Sequence, residues 1–271
     1  MVSWYVVTHS VRADRPAPTV AVRQSASATA PGTTAPIVSA NSRDALAGLC
    51  DQLEQYPSLS IGLTVIELDT GRRTDCQGDQ PMTAASTTKL LMAALFLTKV
   101  EQGEFRLDQP LGPLSAQDQL QQLINQSNND SWDAFLTQLG QPALTSYAQS
   151  LGLTSYHADL NEWSPNDMAA LLTQLATGQI LTAANRQLLL GFMSTTNDET
   201  LIPAALGDDV AVEHKYGRYL GTVNDGAIIG ADNDHPYILV LFTNNEAGIE
   251  GDGATAIHDL TNFVDQQFRA R

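Results

Sequence analysis

The sequence predicts an α/β fold of the α+β kind: a five-stranded antiparallel sheet from both chain ends, terminal helices packed on it, and an inserted all-helical lobe. Three observations carry this expectation. Two strand-like stretches lie early, where Leu59, Ile61, Leu63 and Val65 alternate and a second run leads to Cys76. Three more lie late, at Val210–Tyr219, Thr222–Gly230 and Tyr237–Thr243. Between the two groups the apolar residues recur at helical spacing, so the sheet must close around a helical insertion.

Taken in order, residues 11–41 are dominated by Ala, Pro, Thr, Ser and Val without period, which reads as a flexible tether. The preceding MVSWYVV is apolar but too short for a signal-peptide core, and it is read as the remnant of a longer membrane anchor. The folded domain is expected over 42–271, with a sheet lobe at about 42–83 and 205–271 and a helical lobe at about 84–204. Leu46, Leu49, Cys50 and Leu53 predict an amphipathic helix over 43–55. Asp69-Thr70-Gly71 predicts a turn between the first two strands. Ser86 to Gln102 is rich in Leu, Met and Ala and stops at Gly103. Ser164, Pro165 and Asp167 supply an N-cap, a first-turn proline and a capping acid, and Gly178 ends that helix. A short turn near Gly221 joins two late strands, Asn233 and Asp234 suit the next turn, and a final helix over 254–268 carries Ile257, Leu260, Phe263 and Val264.

The net charge is −16 with only 14 Lys plus Arg, so no basic patch is present to release counterions from nucleic acid or to hold an anionic membrane. No run of 18 apolar residues exists, so membrane contact is expected only through the N-terminal remnant. Cys50 and Cys76 match no zinc or redox spacing. They read as two buried small hydrophobes, with a single disulfide in an oxidising compartment as the alternative. No metal or cofactor is expected.

Chemistry concentrates in three patterns: Ser86-Thr87-Thr88-Lys89, Ser127-Asn128-Asn129 and Lys215-Tyr216-Gly217. A hydroxyl and an amine three residues apart share a helix face, and a desolvated amine beside a second cation can take the hydroxyl proton. Backbone N–H groups at a helix start suit a developing oxyanion. Each pattern alone is weak; Ser39-Ala40-Asn41 matches the second by accident. Together they are specific, because the chain holds only three lysines, Lys89, Lys99 and Lys215, and two of them fall in the patterns.

From about Ser42 to the C-terminus, this set resembles the class A β-lactamases and the related penicillin-binding DD-peptidases. The likeness includes Ala84-Ala85-Ser86-Thr87-Thr88-Lys89-Leu90, Glu213-His214-Lys215-Tyr216-Gly217 and the Asp69-Thr70-Gly71 turn. It implies that Ser86 attacks a carbonyl and is acylated, with Lys89 as general base, directly or through water. It further implies that Ser127 passes a proton to the leaving nitrogen and Asn129 binds the substrate's amide side chain. Lys215 would supply positive potential near Ser127 and the substrate carboxylate, and Tyr216 and Gly217 would border the substrate. The N–H groups of Ser86 and Arg218 would form the oxyanion hole.

Three departures matter. Asn128 stands where the family usually has Asp. Tyr216 replaces Thr or Ser, and its bulk is expected to narrow the site. The family's deacylating glutamate, four residues before Asn161, is replaced by His157, leaving His157, Asp159 and Glu162 as candidate deacylation groups. The spacing from Ser86 to Ser127 also looks short for the family, which implies a trimmed helical lobe.

Two function classes follow. One is an extracellular or cell-surface bacterial serine hydrolase, a monomer that forms an acyl-enzyme on β-lactams or peptidoglycan D-alanyl peptides and deacylates slowly. The other is a non-catalytic cell-wall or penicillin-binding module on the same fold. Asp69-Thr70-Gly71 also matches an aspartic-protease triplet, but no second such triplet accompanies it.

Overall fold

A computed structural model of the chain describes residues 46–231 and 235–269. The expected tether, the apolar N-terminus and the Asn233-Asp234 turn lie outside the described residues. The first helix is shorter than its periodicity suggests: α1 covers only Leu49–Gln52, followed by a 3-10 turn at Leu53–Gln55. Gly48 has a φ of 84°, a left-handed conformation that interrupts any α-helix across 43–55.

The sheet combines β1 (Ser60–Glu67) and β2 (Arg73–Cys76) with β7 (Val212–Tyr219), β8 (Thr222–Ile229) and β9 (Tyr237–Asn244). Its order is β2-β1-β9-β8-β7, and every neighbouring pair is antiparallel. The Asp69–Gly71 turn forms as expected, closed by Gly71 N–H donating to Glu67 O at 2.8 Å. Both faces of the sheet are covered, and the central strand β9 reads as an almost unbroken apolar run. Ile61, Leu63, Leu239 and Leu241 pack with α8 (Glu250–Arg269) and α1 on one face. Ile66, Ile238, Val240 and Phe242 join the core of the helical insertion on the other.

Cys50 and Cys76 are joined by a disulfide, which overturns their reading as two buried small hydrophobes. Cys76 is buried on β2 while Cys50 is exposed on α1, and the bond ties the short first helix to the sheet edge.

The insertion centres on α2 (Lys89–Glu101), in which every residue from Lys89 to Leu97 is buried. Around it lie α3 (Ala116–Ile124), α4 (Asn129–Leu139), α5 (Gln141–Ser150), α6 (Pro165–Ala176) and α7 (Ala183–Met193). Ser164 caps α6 as expected, accepting the Asp167 N–H at 3.2 Å. Asp167 does not reach back to complete a capping box. Its carboxylate accepts from Ser155, whose Oγ in turn accepts the Ser164 N–H.

The stretch from 84 to 204 is not helical throughout. Residues β4 (Pro110–Leu111) and β5 (Leu114–Ser115) make a small hairpin, and β6 (Glu162–Trp163) pairs with β3 (Met82–Thr83). Strands two residues long leave no period to read. The β3–β6 pair sets the segment leading to Ser86 beside the loop that ends in Asn161.

Candidate active site

Ser86 lies in a 3-10 turn, Ala85–Thr88, that runs directly into α2. Ala85 has a φ of 52°, a strained conformation for a residue with a side chain. Neighbours hold it there. Asn161 Nδ2 donates to Ala85 O at 3.0 Å, Asn161 Oδ1 accepts from Thr88 Oγ1 at 2.9 Å, and Ala84 N donates to Asn161 O at 2.8 Å. Asn224, buried on β8, donates to Thr83 O at 2.8 Å and to Ala84 O at 3.2 Å. Asn161 entered the sequence reading only as a landmark and Asn224 not at all; a buried strand asparagine carries no signal until its partner segment is known.

Strand β7 presses on this turn from the other side. A Cβ placed on Gly217 would lie 2.7 Å from the Ser86 nitrogen and 3.0 Å from Ala84 O, so only glycine permits this approach.

Ser127 joins the two lysines. It precedes α4 with a φ of 52°. Lys89 Nζ donates to Ser127 O at 2.5 Å and Asn129 Oδ1 at 2.7 Å, and lies 3.5 Å from Ser127 Oγ. Lys215 Nζ, fully buried, donates to Ser127 Oγ at 3.0 Å and Tyr216 O at 2.9 Å. Burial lowers the Lys89 amine to about 8 against the pull of Asp133. Burial and the Lys89 charge lower Lys215 to about 7, opposed by Asp225 and Asp198. One serine hydroxyl therefore stands between two amines that shed protons near neutral pH.

Asn128 caps α4, its Oδ1 accepting the Ser131 N–H at 2.9 Å, a task asparagine performs as well as aspartate. Tyr216 lies beside the same cluster. Its hydroxyl donates to Asn197 Oδ1 at 2.5 Å, and Lys215 Nζ lies 4.0 Å from its ring centre. The ring packs against Lys215, and the side chain also bonds Ser127, so Tyr216 stands directly beside the reacting groups. Arg218 does line the cavity, held by Asp198 at 2.6 Å and Thr200 at 3.2 Å.

The cavity beside Ser86 has a volume of ≈ 500 Å³. Ser86, Lys89, Asn129, Asn161 and Arg218 line it together with apolar residues of α4, α5 and the loop before β6. None of the described residues lining it is Asp, Glu or His. His157 and Asp159 face an adjoining depression beyond Tyr156 and Ala158. Glu162 sits on β6, paired through its backbone to His157 and Thr83. Asp69, of the protease-like triplet, bonds His235 Nδ1 at 3.2 Å and is not a cavity residue.

Comparison with known proteins agrees with this arrangement. The family model described as "Beta-lactamase enzyme family" matches residues 42–268. The chain belongs to this family. A beta-lactamase of Proteus vulgaris is 28% identical, over 78% of this chain and 83% of its own length. The carbapenem-hydrolyzing beta-lactamase KPC of Klebsiella oxytoca is 26% identical, over 71% and 78%. Among solved structures, a mutant of PBP-A in its acyl-enzyme complex with penicillin G has a TM-score of 0.77 and 25% identity, covering 84% of this chain and 97% of that one. An ancestral class A beta-lactamase has a TM-score of 0.74 and 25% identity, covering 82% and 99%. This family member is a serine hydrolase of the class A β-lactamase and penicillin-binding type.

Proposed function

We propose that the protein opens β-lactams, or cleaves the related D-alanyl peptides of the cell wall, through an acyl-enzyme on Ser86. The observation that carries this reading is the relay Lys89–Ser127–Lys215 ending at a cavity that holds Ser86. Lys89 takes the Ser86 hydroxyl proton as Oγ bonds to the amide carbon. The C–N bond then breaks, and the leaving nitrogen receives a proton from Ser127 Oγ, which Lys89 or Lys215 replaces. The N–H groups of Ser86 and Arg218, brought together by the close approach at Gly217, stabilise the oxyanion. Asn129 faces the substrate's amide.

Deacylation is slow in this reading, because none of the described residues lining the cavity carries a carboxylate or imidazole that could activate water. Loss of such a base typically costs about 10² to 10⁴ in rate. A mutant of PBP-A is known as an acyl-enzyme complex with penicillin G, which supports acylation of this fold by a penicillin. The disulfide supports an oxidising compartment, hence secretion or a cell-surface location. Among the described residues no helix is long and apolar enough to cross a membrane.

Intact-protein mass spectrometry after mixing with penicillin G should show a long-lived adduct of one penicillin. Ser86→Ala should form none while keeping its circular dichroism spectrum. Equal adduct formation by that variant would remove Ser86 from the mechanism.

A further inference from the structure

We infer that Asn197, in the segment that follows the helical insertion, is a positioning residue for acylation: it fixes Ser127 against Lys215 by gripping the chain ahead of Ser127 and the Tyr216 hydroxyl together. This inference rests on acylation at Ser86 as proposed above. Ser127 needs such a hold. Its φ of 52° is unfavourable for a residue with a side chain and persists only where neighbours fix it. On one side the Asn128 N–H donates to Gln122 O at 3.0 Å. On the other, Asn197 reaches in from a distant part of the chain. Its backbone N–H donates to Asn125 O at 3.0 Å and its Nδ2 to Gln126 O at 3.3 Å, on the two residues before Ser127. Its Oδ1 accepts the Tyr216 hydroxyl at 2.5 Å.

The grip reaches the other half of the site through β7. His214, Tyr216 and Arg218 alternate along that strand and so share one face. Each bonds the same segment: His214 meets Thr196 at 3.1 Å, Tyr216 meets Asn197, and Arg218 meets Asp198 at 2.6 Å. Asn197 is the middle of this row, where it meets the chain leading to Ser127. Tyr216 completes the link, since its side chain also bonds Ser127 and its carbonyl accepts from Lys215 Nζ at 2.9 Å. Asn197 does not line the cavity, so it acts on the reaction only through what it holds. It is also exposed, so core packing does not explain its bonds and truncating it leaves no buried void. Proton delivery by Ser127 needs its hydroxyl within hydrogen-bond reach of a lysine and of the leaving nitrogen at once. A misplacement of about 1 Å, caused away from the chemistry, can cost about 10²-fold in rate.

The test is the second-order rate of Ser86 acylation by penicillin G, read by intact mass. Asn197→Ala and Tyr216→Phe should each slow it at least tenfold. The double variant should be no more than threefold slower than the slower single, because both changes break one linkage. Asn197→Asp keeps an oxygen for the Tyr216 hydroxyl and should stay within threefold of wild type. Thermal melts should place every variant within a few degrees of wild type. A smaller loss in either single variant, losses that multiply in the double, or an Asn197→Asp variant as slow as Asn197→Ala overturns the positioning role while leaving acylation intact. If Asn197→Ala does not melt cooperatively, Tyr216→Phe and Asn197→Asp decide instead: the role stands if only the first is slow and falls on any other result. Failure of penicillin G to acylate the wild-type protein at Ser86 overturns the underlying reading and the positioning role with it.

Discussion

At the scale of single residues, the site depends on amines whose charged form is disfavoured by burial. Lys89 is lowered to about 8 mainly by burial, and the neutral amine is the form that accepts a proton. Its active fraction therefore grows as pH rises. The acylation rate should climb between about pH 7 and 8 and level off above, as stopped-flow acylation at fixed penicillin concentration would show. A flat profile from pH 6 to 9 would remove Lys89 as the base, and Lys89→Ala should cost about 10² to 10⁴ in acylation rate. His157→Ala, Asp159→Ala and Glu162→Ala should each change the adduct lifetime by less than about twofold, since none of the three lines the cavity. Ser86, Lys89, Ser127 and Lys215 were legible in the sequence because lysine is so scarce that two of three in ordered patterns is informative. The direction of a loop side chain was not legible. His157 holds the family's position by spacing, yet a backbone bridge to Glu162 sets which way the loop faces.

At the scale of elements, the close approach of β7 to the 85–88 turn is the critical contact. Gly217→Ala places a methyl 2.7 Å from the Ser86 nitrogen, so β7 must retreat and separate the Ser86 and Arg218 N–H groups proposed above to hold the oxyanion. Acylation should fall by about 10²-fold, the usual loss on removing one oxyanion donor. The measured melting temperature should drop by only a few degrees. The disulfide is a second element-scale device. Its closed loop spans 26 residues, for which chain entropy gives about 3 kcal/mol. Cys50→Ser with Cys76→Ser should therefore lower unfolding stability in urea by about that amount, and an unchanged midpoint would show that the bridge contributes nothing. Strand pairs were readable where residues alternate or run apolar, as in β1 and β9. The two-residue strands β3 to β6 and the break of the first helix at Gly48 were not, because local backbone geometry sets them and periodicity does not.

At the scale of the whole molecule, the sheet must hold its last strands against the 194–206 segment that follows the helical insertion. A buried charge cluster fastens them. His214 on β7 is fully buried, with Nδ1 at 3.0 Å from Asp225 on β8 and Nε2 at 3.1 Å from Thr196 and 3.3 Å from Glu199. Asp225 also accepts the Ile202 N–H at 3.2 Å, so one carboxylate binds both the strand and the segment. Burial alone would lower the imidazole, but Asp225 and Glu199 outweigh it and raise it to about 9. A folded-state value above the unfolded one means that the protonated imidazole binds its partners only in the fold. The resulting stability is complete below about pH 6.5 and is lost as pH rises through about 9. Lys215 next to it works in the opposite sense, since its lowered value disfavours the fold while the amine is charged. Net stability against pH therefore mixes two signs, and the comparison must be with a variant that removes only the imidazole. His214→Gln keeps a hydrogen-bonding side chain and the lysine. Its deficit in urea-unfolding stability relative to wild type should be largest near pH 6 and shrink steadily towards pH 10. A deficit that stays constant across this range would show that His214 holds the segment as a neutral ring, with no contribution from its charge.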